Sequence, residues 1–392
     1  MPLRMEPRSP PDAAAYDKLP TLVLQGGGAL GSYQAGVYQA LAEARILPDW
    51  VAGTSIGAIN AAIIAGNEPR HRLDRLSEFW ETVTASSMGW PEWPDTLFGD
   101  AHSQAGAVPA LLFGQPGFFE HWTPASWVLS GFSPSLYDTA PLLPTLERLV
   151  DFDRINGGKT RVSVGAVNVR TGSMVYFDSR EMRIRPQHIL ASAALPPGFP
   201  AVEIDGQFYW DGGLYSNTPL EHVLSYYPRR SRLVFQVDLF PACGCLPRTL
   251  DEVIERTSDI RYSSRTRMVT DELRTLHDIR HNLNLLLESL PEALKNQPAA
   301  RALGEIACVT TMDIAQIIYR PDEPQGATKD FAFSRRTMRR RWQRGVFDAR
   351  HTIEAAPWLA PQDPEIGVRI FDVIGRARHA PATAAQAALR PA

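Results

Sequence analysis

The 392-residue chain reads as an α/β protein: a central, mostly parallel sheet flanked by helices, followed by a mainly helical C-terminal region. Three observations predict this. Between Thr21 and Asn67 two short apolar runs alternate with two segments of helical period, a spacing that suits parallel strands joined by right-handed crossovers. Strand-like runs return between Thr160 and Leu239. From Pro241 onward, long stretches of helical period take over.

The first twenty residues are polar and proline-rich, without the apolar core of a signal peptide, and read as a disordered tail. Residues 21–240 then form the part expected to carry the chemistry. Thr21–Gln25 is apolar without alternation, as expected of a strand covered on both faces. Gly26, Gly27 and Gly28 follow, and Tyr33, Val37, Leu41 and Ala44 recur on one face of a helix starting near Gly31. "WVAG" is a second strand, and the helix after it ends at Gly66-Asn67, which suits a left-handed cap.

Residues 84–137 are rich in Trp, Phe, Pro and Gly with no clear period, and read as an insertion over the sheet. Val162, Val164 and Ala166 alternate along a strand, which turns at Thr171-Gly172 and returns over Met174–Phe177. Asp205-Gly206 fits a two-residue primed hairpin turn, and "RLVFQVDLF" is another buried strand. Beyond Pro241 the strands are expected to stop, leaving residues 241–392 as a mainly helical domain broken near Pro321–Pro324.

Hydrophobic content of 44% and charged content of 21% describe a globular protein, and the net charge of -3 gives no case for nucleic acid. Cys243, Cys245 and Cys308 are no disulfide framework, so a reducing, cytoplasmic setting is the default. No stretch of about 18 apolar residues suggests a membrane-spanning helix.

The chemistry centres on "GTSIG", Gly53 to Gly57. This G-x-S-x-G pattern is the signature of a nucleophile elbow, in which a strand turns sharply into a helix and presents the serine. A plain helix cap is the other reading of Ser55. The glycine triplet is an anion site in either case, because amides without Cβ atoms nearby converge at a helix N-terminus. The anion is either the oxyanion of an acyl-transfer intermediate or a pyrophosphate, since Gly26, Gly28 and Gly31 also match the dinucleotide fingerprint. Asp49, about 20 residues on, stands before its strand rather than at the carboxyl end where a ribose-binding acid belongs.

A serine needs a base. None of the nine histidines is an evident one. His188 and His222 lie in helical contexts, while His277 and His281 sit four residues apart on what reads as a solvated helix face, with no third metal ligand. Asp211 is the better candidate. It ends the strand "QFYW", and Gly212 and Gly213 after it allow close approach to another loop.

The ordered motifs "GGGALG", "GTSIG" and "DGG" after a hairpin resemble those of bacterial patatin-like phospholipases, over about Thr21 to Leu239. The resemblance implies a three-layer sandwich and hydrolysis of lipid esters on a dyad of Ser55 and Asp211. It also implies an oxyanion hole from the amides of Gly26, Gly27 and Gly28, with elbow geometry adding that of Ile56. No cofactor or metal is required. The implied partners are a lipid or ester substrate met at a peripheral membrane surface, and a homo-oligomer is compatible with it. Where the family commonly has Arg or Lys, two residues past the triplet, this chain has Leu30, so a charge that could attract phosphate is missing. A non-phospholipid esterase, such as a polyester depolymerase, and a non-catalytic lipid binder are the rival readings.

Two further features have a plain and a functional reading. Trp90, Trp93, Phe113, Phe118, Phe119, Trp122, Trp127 and Phe132 are either a lid or acyl wall, or a core packed under loops. Arg335, Arg336, Arg339, Arg340, Arg341 and Arg344 read as a solvated, ion-paired helix face in preference to an anionic headgroup site.

Overall fold

The computed structural model describes residues 18–85, 114–122 and 135–375. β1 (Leu19–Leu24) passes through the glycine loop and a 3-10 turn at Gly28–Gly31 into α1 (Ser32–Glu43). β2 (Trp50–Thr54) turns at Ser55 into α2 (Ile56–Ala65), and α3 (Arg72–Val83) follows. A small antiparallel ribbon of β3 (Glu120–His121) and β4 (Tyr137–Asp138) precedes α4 (Leu142–Leu149) and α5 (Phe152–Asn156). Next come β5 (Arg161–Asn168), β6 (Met174–Asp178), α6 (Pro186–Ser192), β7 (Val202–Ile204), β8 (Gln207–Asp211), α7 (Leu220–Ser225) and β9 (Arg232–Asp238). The C-terminal region holds α8 (Leu250–Ser289), α9 (Glu292–Lys295), α10 (Pro298–Ile306), β10 (Met312–Ile318), α11 (Arg335–Ala355) and β11 (Val368–Phe371).

The main sheet has the order β11-β10-β9-β1-β2-β5-β8-β7, with β6 branching from β5. From β11 to β5 all neighbours are parallel, and β8 turns antiparallel to β5. Every residue of β2, β5 and β9 is buried, as a sheet covered on both faces requires. The hairpin turn is the expected primed type, with Asp205 at φ 49° and Gly206 at φ 76°.

The region after Pro241 is mainly helical, but strands do not stop there. β10 continues the sheet beside β9, and β11 beside β10. The apolar run of β10 is short and carries Asp313, which obscures it in the sequence. In the fold Asp313 is fully buried and paired with Lys18 at 2.6 Å and Arg369 at 2.6 Å. Lys18 belongs to the stretch expected as a tail, and β1 begins at Leu19 rather than Thr21. Of that tail, residues 1–17 lie outside the described residues.

Three other expectations change. Gly66 closes α2 at φ -77°, not in the left-handed region. Asn67 does the work instead, donating its side-chain amide to the carbonyls of Ile63 and Leu149, both at 2.8 Å. His277 and His281 are buried, not solvated, and their Nε2 atoms donate to the carbonyls of Thr310 and Pro364. The basic run keeps its solvated, ion-paired face, with Arg336, Arg339 and Arg340 exposed and Arg344 paired with Asp348 and Asp322, and the change is confined to Arg341, which is fully buried. Trp90, Trp93, Phe113, Trp127 and Phe132 lie outside the described residues.

α11 locks onto α1 by backbone approach. A Cβ at Gly36 would overlap the Trp342 carbonyl, and one at Gly345 would overlap the Tyr33 carbonyl. Tyr33 also donates to Asp348 at 2.9 Å, and Trp342 to Gln39 at 2.6 Å. Gly36→Ala or Gly345→Ala must therefore part the helices, at a cost of roughly 1–3 kcal/mol. Gly304→Ala, an exposed helical position where a Cβ meets nothing, should instead stabilise slightly. Thermal melting of the three variants checks this, and equal behaviour would contradict it.

Candidate active site

Three loops meet above the carboxyl ends of the strands. The register sets Leu24 beside Gly53, Thr54 beside Gly165, and Ala166 beside Asp211. The loops leaving β1 and β2 therefore emerge at the carboxyl end of the parallel strands, where ligand sites form in such folds, and β8, running antiparallel, brings its last residue, Asp211, to the same level.

Ser55 is held at φ 57° and ψ -125°, a conformation that L-residues rarely adopt. Its neighbours leave no room for anything larger. A Cβ at Gly53 would overlap the Gly57 carbonyl, and a Cβ at Gly57 would overlap the Leu24 carbonyl. The side chain of Ser55 makes no cap hydrogen bond to α2, so the helix-cap reading does not hold. Its amide donates to Ser192 Oγ at 3.1 Å, and Ser192 donates on to the Gly165 carbonyl at 2.7 Å. Ser192 thus positions the elbow from α6, which nothing in the sequence pattern indicated.

The glycine loop lies against the elbow. A Cβ on Gly26 would come within 2.9 Å of Ser55 Cβ. One expectation fails here: the Gly26 amide is not available to a ligand, because it donates to the Asn217 carbonyl at 3.0 Å. Asn217 returns the contact by donating Nδ2 to the Gly26 carbonyl at 3.0 Å. This two-way clasp ties the first loop to the segment after Asp211. Among the described residues, no acceptor takes the amides of Gly27, Gly28 or Ile56. Those three remain for an anion.

Asp211 is buried, with its amide on the Ala194 carbonyl at 2.9 Å. Its Oδ1 accepts the Gly213 amide at 2.7 Å, and Oδ2 has no hydrogen-bond partner. Gly212 and Gly213 both permit this placement: a Cβ would press on the Gly165 carbonyl at 2.6 Å or on Asn217 Oδ1 at 2.9 Å. Burial pushes the Asp211 carboxyl up to about 7, against the smaller opposing pull of the Ser55 hydroxyl and the Gly213 amide. Ser55 is thus an electrostatic neighbour of Asp211, though no closed hydrogen bond joins them; such contacts often tighten only once substrate is bound.

Ser55, Ile56, the three loop glycines, Asp211, Gly213 and Asn217 line one cavity of about 60 Å³. Its other walls are apolar, with Phe118, Phe119, Phe199, Phe240, Phe331 and Phe333 prominent. Phe118 and Phe119 come from the aromatic stretch; Phe331 and Phe333 come from the C-terminal region. Among the described residues no histidine lines the cavity. His188 is fully buried, its Nδ1 accepts the Arg185 amide at 2.8 Å, and burial lowers its pKa to about 4. His222 donates Nε2 to Asp178 at 3.0 Å and stacks on Tyr176. Asp49 pairs with Arg232 at 2.7 Å, away from the glycine loop's carboxyl-end site, so the dinucleotide reading lacks its acid.

This geometry defines a class: an α/β protein with a strained serine at a strand-to-helix turn, beside a glycine loop whose Gly27 and Gly28 amides are unpartnered among the described residues, and a buried carboxyl. Residues 22–224 match the family model described as patatin-like phospholipase, and residues 260–365 match one described as patatin phospholipase. The chain belongs to the patatin-like phospholipase family and is a lipid acyl hydrolase. Among solved structures it is similar to VipD from Legionella pneumophila, at 14% identity and a TM-score of 0.38, over 88% of this chain and 69% of that one. It is also similar to the type III effector protein ExoU, at 13% identity and a TM-score of 0.31, over 86% of this chain and 53% of that one. No curated protein matches the sequence.

The Asp211 environment has a stability consequence. Its folded pKa of about 7 lies above an unfolded value of about 3.9, so the folded state holds a proton that the unfolded state has lost. Stability should fall as pH rises from about 4 to about 7, then level off. Asp211→Asn removes that penalty while keeping the Gly213 contact. It should raise stability at pH 8 by up to about 4 kcal/mol and change little at pH 4. Denaturant melts of both proteins at the two pH values check this; a variant destabilised at pH 8 would contradict it.

Proposed function

We propose that the enzyme cleaves lipid esters through an acyl-enzyme, with Ser55 as nucleophile and Asp211 as its base. Asp211 takes the Ser55 proton as the oxygen attacks the ester carbonyl. The developing oxyanion is met by the amides of Gly27, Gly28 and Ile56. Collapse releases the alcohol, which recovers the proton from Asp211. Water then repeats the sequence and frees the acid. The acyl group lies along the phenylalanine walls.

The observation that carries this reading is the pairing in one cavity of a strained serine and a buried carboxyl whose pKa is raised toward neutrality. An Asp at its ordinary pKa of about 3.9 is a feeble base, and burial is what improves it. Among the described residues no helix is long and apolar enough to cross a membrane; the proposed route to a lipid substrate is peripheral contact with the membrane surface.

Ser55→Ala should lower kcat/KM on a chromogenic ester by about three orders of magnitude or more. Asp211→Asn should lose a similar amount, chiefly in kcat. His188→Ala and His222→Ala, provided circular dichroism shows them folded, should stay within a few-fold of the parent. An active Asp211→Asn beside an inactive histidine variant would replace this dyad with a Ser-His arrangement.

A further inference from the structure

The cavity is lined by a second acidic residue. Asp330 lines it from the segment Gln325–Phe333, which crosses over the glycine loop. The contact is close: a Cβ on Gly28, at φ 54°, would overlap the Asp330 carbonyl oxygen and approach Asp330 Cβ to 3.6 Å. Asp330 therefore stands over the amides proposed to hold the oxyanion.

The segment is firmly held. Lys329, buried, pairs with Glu255 at 3.1 Å and Asp259 at 2.5 Å on the first turns of α8. Glu255 also accepts the amides of Gln325 and Gly326, at 3.0 Å and 2.8 Å. From α11, Arg341 donates to the Lys329 carbonyl at 2.9 Å and to Gln325 at 3.1 Å. Asp330 is thus placed by a network, not left on a free loop.

The charge around the cavity is one-sided. Among the described residues no Arg, Lys or His lines it; the ionisable groups of the described lining are Asp211, Asp330 and the Tyr262 phenol. Two cations of the network come close to the described walls. Lys329 lies 5.5 Å from the Phe240 ring but faces two carboxylates, and Arg341 is engaged by carbonyls and an amide oxygen. Arg261, over the outer Tyr262 ring at 5.7 Å, is exposed. Leu30, where a cation could have stood, is fully buried in the core. Among the described residues lining the cavity, a phosphate close to the scissile ester would meet no cation and one or two acidic side chains.

We infer that Asp330 is a specificity-determining residue, and that it turns this site toward esters whose alcohol carries no phosphate: neutral glycerides or simple carboxylic esters. The inference rests on the Ser55 and Asp211 reading above, and names the substrate class of that same site. Burial pushes the Asp330 carboxyl up, against the pull of its own amide and that of Phe331; once ionised, it would act as a like charge, and at a separation of about 8 Å and an effective dielectric constant of about 20 this corresponds to at most roughly 30-fold in rate or affinity. Water entering the cavity would reduce that toward about tenfold.

The test compares a diacylglycerol with the phosphatidylglycerol of the same acyl chains, in matched mixed micelles, for the parent and Asp330→Asn. The parent is expected to favour the neutral lipid by about tenfold or more in kcat/KM. Asp330→Asn, near-isosteric, should raise the ratio of kcat/KM on phosphatidylglycerol to that on diacylglycerol by about tenfold. The parent's own preference needs no variant to fold. Fluorophosphonate labelling at Ser55, read by mass spectrometry, separates the two levels. Without labelling, the catalytic reading falls and this inference with it. With labelling, a preference for phosphatidylglycerol, turnover of neither lipid, or a ratio unmoved in folded Asp330→Asn overturns this inference alone.

Discussion

The site depends on one backbone conformation, the left-handed turn at Ser55. A serine at φ 57° costs of order 1–3 kcal/mol and persists only where its surroundings leave no alternative. Here the restraint is contact between main chains. Gly53 touches Gly57 across the turn, and Gly57 touches the end of β1. Behind α2, Asn60 donates to the Gly31 carbonyl and to Gln34, and accepts from Trp80. Ser192 fixes the Ser55 amide from the opposite side. The helix start, the glycine loop and the serine hydroxyl are therefore set by one packing arrangement, and none can move alone.

In the proposed mechanism, burial on the other side of the site does the chemical work. Asp211 sits where the sheet changes from parallel to antiparallel, one strand beyond β5, under loops that exclude water. That placement costs stability and raises basicity through the same desolvation. The C-terminal region completes the enclosure. Tyr262 of α8 and the segment Gln325–Phe333 close the cavity, while β10 and α11 bind the region to the sheet and to α1. The C-terminal part builds walls of the site as well as extending the fold.

Much of this was legible in the sequence because it is local. An elbow, a glycine triplet and Asp-Gly-Gly after a hairpin each declare themselves within a few residues, and the strand pattern places all three at one end of a sheet. What was not legible depends on distant residues. The Gly26 amide reads as a free donor until Asn217, nearly two hundred residues on, is seen to take it. Ser192 looks like any small helical residue. β10 hides because buried Asp313 breaks an apolar run, and its partners Lys18 and Arg369 come from opposite ends of the chain. Asp330 follows a proline-rich break that reads as a linker; only the fold brings it to Gly28.

The central claim is that a buried carboxylate, acting without histidine, activates Ser55. Its most direct test is the pH dependence of the second-order rate at which a fluorophosphonate acylates Ser55. A single ionisation should govern the rate, rising with slope one below about pH 7 and flat above it, as the deprotonated form of Asp211 accumulates. In Asp211→Asn the reaction should be slower by orders of magnitude and that ionisation should vanish. A profile that keeps its inflection and its speed in Asp211→Asn would contradict the account, because some other group would then be the base.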